Sequence, residues 1–72
     1  MQEIREQLGL NLRARRDKAG LSQEALGALC ELDRTEISLL ERGKRSPRLE
    51  TIVVLARGLE LSSPIELLQG IV

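Results

Sequence analysis

Four cationic side chains lie within residues 42–48, a stretch without an acidic residue; they are Arg42, Lys44, Arg45 and Arg48. Guanidinium and ammonium groups bind phosphate oxygens through charge-assisted hydrogen bonds, so this stretch, the basic loop, is a candidate polyanion-binding segment. A run of charge is often only solvated surface. Its position directly after a predicted helix with a polar outer face favours a binding role.

The helix before the basic loop is predicted from about residue 34 to residue 42 and has two unlike faces. At 100° per residue, Ile37, Leu40 and Glu41 share the inward side. Hydroxyl, guanidinium and apolar groups on the opposite side could meet the edges of base pairs. The candidate base-contacting residues are Arg34, Thr35, Ser38 and Leu39.

These four side chains differ in the contacts that they can make with DNA. Arg34 can donate to guanine O6 and N7 together, while Thr35 and Ser38 can reach bases or phosphates. Leu39 is a large apolar residue on the outward side. It either contacts a thymine methyl group or packs on a neighbouring side-chain stem, and the sequence leaves both open.

Glu36 is the acidic exception on this helix, because DNA phosphates repel a carboxylate. One possibility is that it accepts a hydrogen bond from a cytosine amine. The favoured interpretation is structural: Asp33 caps the helix, and Glu36, three residues later, completes an Asp-x-x-Glu capping box.

A second short helix is predicted just upstream, from about residue 22 to residue 30, with Ser22 as its cap. The pair forms a helix-turn-helix, a motif whose second helix enters the DNA major groove. Gln23 stands at the start of the upstream helix, where backbone N–H groups favour a phosphate, so we expect it to bind one. A plain exposed polar residue is the alternative.

Arg16 and Glu41 are charged residues at positions that should face the core. Arg16 follows Leu12 by four residues on the apolar stripe of the first helix, and Glu41 follows Ile37 by four. Since a buried charge is costly unless it is paired, we predict a bidentate Arg16–Glu41 bridge. The alternative is that both side chains reach solvent.

The chain resembles the phage-repressor and Cro type of helix-turn-helix domain, the xenobiotic-response-element family, from about residue 8 to residue 68. That resemblance implies a double-stranded DNA operator, the Arg16–Glu41 bridge and a backbone-clamping Gln23. Residues 32–38 are similar to controller proteins of restriction-modification systems. Glu31 departs from the family, which usually has glycine there, and one residue is added near 62–63. The matching stretches are Gly20-Leu21-Ser22-Gln23-Glu24, Asp33-Arg34-Thr35, Ile37-Ser38, Glu41-Arg42-Gly43 and Pro47-x-Leu49-Glu50-Thr51.

Composition narrows the class of protein. The 72 residues suffice for one domain and include no aromatic residue and no histidine, while Cys30 is a lone cysteine. We therefore expect no metal site, no cofactor, no catalytic centre and no stacking platform for single-stranded nucleic acid. No apolar run is long enough to span a membrane, which makes the cytoplasm the expected location.

The net charge is zero, yet the charge is unevenly distributed along the chain. Residues 13–48 hold nine cations and six acids, whereas both flanking segments are slightly acidic. A basic face on a neutral chain is compatible with DNA binding, although the sequence-independent part of the affinity should be modest.

The remaining sequence predicts three more helices, at about residues 3–19, after Pro47, and at about 64–69. The last begins with a Ser63-Pro64-x-Glu66 capping box. With short connections and no strand-like alternation, the prediction is an all-α, compact five-helix bundle, lambda-repressor-like, forming one domain over residues 1–72.

The C-terminal segment is the predicted dimerisation element. We expect Ile65 and Leu68 to face the core and the surplus apolar side chains to remain exposed, which on a small protein indicates an interface. The alternative for this segment is a tail that covers its own domain. The alternative to DNA binding as the function of the whole chain is a protein-interaction module of the same fold, such as an antitoxin-like partner. The predicted interface of a homodimer consists of Leu67, Leu68, Ile71 and Val72.

Overall fold

The computed structural model describes residues 2–71, and within that range every regular element is helical. The all-α prediction is therefore confirmed, but the fifth element is a short 3-10 helix and not an α-helix. The elements are α1 (Gln2–Lys18), α2 (Gln23–Cys30), α3 (Arg34–Glu41), α4 (Leu49–Gly58) and the 3-10 helix (Pro64–Leu68).

Aliphatic side chains from all five elements form the core, as expected for a chain without aromatic residues. Helix α1 packs on α3 and on the 3-10 helix, while α2 packs on α3 and α4. Leucine dominates because its branched side chain interdigitates well between helices. The most deeply buried large side chains are Leu12, Leu26, Ile37, Leu40 and Leu67.

Gly9 allows α1 to approach the end of α3 at close range. A Cβ atom on Gly9 would lie 2.5 Å from the Glu41 carbonyl oxygen and 2.6 Å from that of Leu40. Glycine inside a helix normally costs about 1 kcal/mol relative to alanine. In this protein the close packing of α1 against the end of α3 offsets the propensity cost of Gly9, because any side chain at this position would collide with the two carbonyl oxygens.

The turn between α2 and α3 fixes the relative orientation of the two helices. Ser22 caps α2, since its Oγ accepts from the Ala25 N–H at 3.0 Å. Glu31 ends α2 in the left-handed conformation at φ 56°, as its glycine-favouring position predicts. Gly27 is needed against this turn, because a Cβ there would lie 2.6 Å from the Leu32 carbonyl oxygen.

The 3-10 helix begins with the predicted capping box. The Ser63 N–H donates to Glu66 Oε2 at 3.1 Å, and Ser63 Oγ accepts from the Ile65 N–H at 3.2 Å. Asn11 joins the 3-10 helix to α1, because its Nδ2 donates to the Leu67 carbonyl at 2.9 Å and to the Gln69 carbonyl at 2.7 Å.

The predicted faces of the C-terminal segment were wrong at two positions. Leu67 is fully buried at 0% exposure, so it is unavailable to a partner, and Ile65 is 59% exposed. A 3-10 helix has three residues per turn, so the inward positions differ from those of the expected α-helix. Leu68 and Ile71 are partly buried against the core. Val72 lies outside the described residues.

Candidate nucleic-acid interface

Helix α3 presents one apolar face to the core and, to the outside, the candidate base-contacting residues Arg34, Thr35, Ser38 and Leu39, which together are called the candidate reading face. Ile37 and Leu40 are buried at 0% and 1% exposure. Because these two positions define the inward side, the candidate base-contacting residues lie on the outer face and its flanks. Arg34 and Thr35 are exposed, and Ser38 and Leu39 are half-buried. No intramolecular partner occupies the Arg34 guanidinium among the described residues.

A bidentate ion pair fixes the far end of α3 to α1. Arg16 Nε lies 2.6 Å from Glu41 Oε2, and Arg16 Nη2 lies 3.0 Å from Glu41 Oε1. The side chains are 12% and 4% exposed, so the pair predicted from sequence forms in a largely buried position. The hydrogen bonds to Glu41 hold the pKa of Arg16 above its ordinary value, and the guanidinium stays charged.

Gln23 joins this ion pair and does not project freely into solvent. Its Nε2 donates to Glu41 Oε1 at 3.1 Å. A carboxylate can only accept, so the contact turns the amide nitrogen towards Glu41 and leaves the amide oxygen on the other side. One N–H of Gln23 remains for an acceptor such as a phosphate.

The capping box predicted at the start of α3 is absent. Asp33 has the extended backbone of a cap residue but makes no side-chain cap hydrogen bond. Glu36 instead accepts from Arg45, with 2.6 Å between Arg45 Nη1 and Glu36 Oε1. A cation nine residues later competes for this carboxylate, and local spacing could not reveal that contact.

The basic loop leaves α3 through Gly43, which adopts φ 70°. Such a conformation is favourable for glycine and ends the helix, and the Lys44 N–H donates to the Leu39 carbonyl at 2.9 Å. Gly43 also lies against α1, because a Cβ there would be 3.0 Å from Glu6 Cγ. The loop is thereby held beside the candidate reading face.

The four cations of the basic loop differ in whether their side chains contact another group of the protein. Arg42 Nε makes a long contact of 3.4 Å with the Ser38 carbonyl, and Arg45 is paired with Glu36. Lys44 and Arg48 are exposed, and within residues 2–71 neither has an intramolecular side-chain partner. Three cations are therefore available to phosphates, while the fourth is held by a carboxylate.

Three further features of residues 2–71 bear on the requirements of a metal site, a membrane-spanning helix and a reactive thiol. No cluster of three or more metal-ligating side chains occurs among them, and none of their helices is long and apolar enough to cross a membrane. Cys30 is buried, and burial raises the pKa of its thiol, which makes the thiolate scarce at neutral pH.

The chain belongs to a known family of helix-turn-helix domains. The family model described as a helix-turn-helix domain matches residues 7–68. This region contains α2, α3, the ion pair that joins α3 to α1, and the basic loop. The candidate reading face and the residues that fix α3 to α1 therefore all lie in the part of the chain that the family model covers.

Two curated relatives are control proteins. The chain is 40% identical over 62 residues to control protein C.SmaI of Serratia marcescens, which covers 86% of this chain and 74% of the relative. It is 39% identical to control protein C.MunI of a Mycoplasma species, with 92% of this chain and 97% of the relative covered.

Solved structures with the same fold include a controller and a repressor. The restriction-modification controller protein C.AhdI from Aeromonas hydrophila has a TM-score of 0.85 at 41% identity, covering 88% of this chain and 94% of that one. The DNA-binding domain of the P22 c2 repressor has a TM-score of 0.82 at 36% identity, covering 88% and 82%.

Proposed function

We propose that this chain is a sequence-specific, double-stranded DNA-binding transcription regulator of the restriction-modification controller kind, which reads its operator through α3 as a homodimer. The observation that carries the proposal is the outer face of α3 beside the basic loop. Potential base contacts and phosphate contacts lie next to each other there, and the largely buried Arg16–Glu41 ion pair fixes α3 to α1 behind them.

The dimensions of α3 suit a major groove. An α-helix with its side chains is about 10–12 Å across, which fits the major-groove width of about 12 Å, and the eight residues of α3 extend for about 12 Å along the helix axis. Arg34, at the first position, can enter deepest, since reading helices of this motif contact bases through their N-terminal residues. Arg34 is therefore the proposed guanine-reading residue, with Thr35 and Ser38 beside it.

Three cations and one amide are proposed to hold the DNA backbone. Arg42, Lys44 and Arg48 bring positive charge to one end of α3, and Gln23 brings an amide N–H at the start of α2. Backbone contacts set the register of a protein on the duplex but carry no sequence information. In this proposal α3 selects the DNA sequence, whereas the basic loop and Gln23 set the orientation of the protein on the duplex.

Dimerisation would let the protein read more than one half-site. The domain measures 28 × 25 × 21 Å, so two copies side by side fit a pair of half-sites about 34 Å apart. Among the described residues of the C-terminal segment, Ile65 is the exposed large apolar side chain, and the partly buried Leu68 and Ile71 lie near it in sequence. We place the two-fold interface there.

Two substitutions test the proposed assignment of contacts. Lys44→Ala should weaken binding to every duplex and lower the slope of log K against log salt by about one unit, because one phosphate contact is lost.

Arg34→Ala should cost about 1–3 kcal/mol of binding free energy on the preferred site and relax the choice of one base pair. Titrations of both variants with specific and random duplexes at several salt concentrations measure these effects. A uniform loss for Arg34→Ala would make it a phosphate contact, and salt-insensitive binding would favour a protein-interaction module.

A further inference from the structure

Glu36 occupies an unexpected position for an acidic residue in a DNA-binding surface. It lies in the first turn of α3, two residues after the proposed guanine-reading Arg34. Its side chain is only 23% exposed and accepts a 2.6 Å hydrogen bond from Arg45. The carboxylate is thus held by a cation that the sequence would assign to phosphate.

We propose that Glu36 limits the sequence-independent affinity of this protein for DNA by neutralising the charge of Arg45 and competing with phosphate for its guanidinium. This role rests on the proposed function, and it differs from the two roles that the sequence suggested for Glu36, a cytosine contact and a helix cap. Glu36 is in this sense a positioning residue that acts through Arg45.

The geometry supports competition between Glu36 and phosphate for the same guanidinium. Both are oxyanions that accept charge-assisted hydrogen bonds from arginine. The Arg45 side chain is 51% exposed, so a phosphate can reach its other N–H donors, but Glu36 occupies Nη1 and offsets the positive charge that would attract the phosphate. If Arg45 left, an unpaired carboxylate would remain at the DNA surface and would be repelled by the backbone.

Charge counting gives the size of the effect. The basic loop carries four cations, and one of them is neutralised locally by Glu36. Releasing one more cation to phosphate steepens the dependence of log K on log salt by about 0.9. At 0.1 M salt that slope corresponds to roughly eightfold tighter binding to random duplex, the upper limit for one added contact.

The test compares Glu36→Gln with wild type on a random-sequence duplex between about 0.05 and 0.3 M salt, a range where counterion release dominates. The expected result is several-fold tighter binding together with a salt slope steeper by about one unit. A matched control is Glu3→Gln, which removes the same charge from an exposed position in the first turn of α1. That control should leave the slope unchanged.

A double-mutant comparison shows whether Glu36 acts through Arg45. In an Arg45→Ala background, Glu36→Gln should no longer change the slope by a unit, because the cation that it would release is missing. An equal change in both backgrounds would overturn the proposal, since it would indicate simple removal of a repulsive charge.

Other outcomes contradict the proposal in distinct ways. Weaker binding by Glu36→Gln with an unchanged fold would show that the pair pre-organises the loop for DNA. Loss of preference at one base pair with an unchanged slope would make Glu36 a cytosine contact. If wild type itself shows no salt-dependent duplex binding, the proposed function fails before the role of Glu36 is addressed.

Discussion

The Arg16–Glu41 ion pair fixes the helix that carries the candidate reading face to the rest of the core. Glu41 ends α3 and accepts two hydrogen bonds from Arg16 and a third from Gln23. The same carboxylate thus fixes α3 against α1 and orients an amide at the start of α2. The relative placement of the proposed base and phosphate contacts depends on it.

Removing one partner of this ion pair should be much more harmful than removing both. Arg16→Ala leaves the 4% exposed Glu41 carboxylate without its cation and should cost about 3 kcal/mol of unfolding free energy. Replacing Arg16 by Met and Glu41 by Leu together should recover much of that loss. Urea unfolding of the single and double variants measures the coupling, and additive effects would contradict it.

Residue-scale patterns in the sequence predicted the inward face of α3 and the Arg16–Glu41 pair, because helical periodicity identifies charges at core positions. The same reasoning failed for Glu36. A capping box is a local motif, whereas the observed partner, Arg45, reaches Glu36 only after the chain has turned at Gly43. When a residue distant in sequence takes the carboxylate from a local cap, no pattern of neighbouring residues reveals it.

At the scale of the elements, Gly9 governs how closely α1 and α3 can pack. Helix propensity alone predicts that Gly9→Ala would stabilise the protein by about 1 kcal/mol. The close approach to the Glu41 and Leu40 carbonyl oxygens reverses this expectation, and the substitution should destabilise by about 1–3 kcal/mol through overpacking. Thermal or urea unfolding decides the sign.

A control on the same helix separates packing from propensity. Ala14 is exposed on α1, so Ala14→Gly should show only the usual cost of about 1 kcal/mol. A stabilised Gly9→Ala variant would mean that the two helices separate at little cost.

The 3-10 helix should loosen on acidification. The Ser62 hydroxyl, with backbone N–H groups and Arg15, holds the pKa of Glu66 below its ordinary value of 4.5. Because the folded protein binds this proton less readily than the unfolded chain, the stabilisation is present above pH 4.5 and is lost as the pH falls through the lowered pKa. Glu66→Gln should therefore lose stability relative to wild type at neutral pH, and the difference should shrink as the pH falls below 4.5 and through the lowered pKa of Glu66. A difference independent of pH would contradict the role of the ionised carboxylate.

The sequence predicted the capping box of this element but not its type of helix. Ser63, Pro64 and Glu66 mark the start by local chemistry. Asn11 on α1 donates to the carbonyls of Leu67 and Gln69, and local sequence patterns do not reveal such long-range contacts. In the 3-10 helix that these contacts accompany, Leu67 lies in the core.

At the scale of the whole molecule, the proposed dimer should depend on Ile65 and not on Leu67. Ile65→Asp should give a folded monomer with weaker operator binding, because a charge at an apolar interface is costly. Leu29→Asp is a matched control, as Leu29 is 60% exposed on α2 against 59% for Ile65. Sedimentation at micromolar concentration distinguishes them. Wild type that sediments as a monomer would refute the dimer, and dissociation of both variants would refute the location of its interface.

Selection of bound sequences from random duplexes tests the central claim most directly. We predict enrichment of a two-fold symmetric sequence whose half-sites lie about one helical turn, roughly 34 Å, apart. The same selection with Arg34→Ala should relax one base pair in each half-site while keeping the spacing. Recovery of unenriched sequences by folded wild type at moderate salt would contradict sequence-specific recognition through α3.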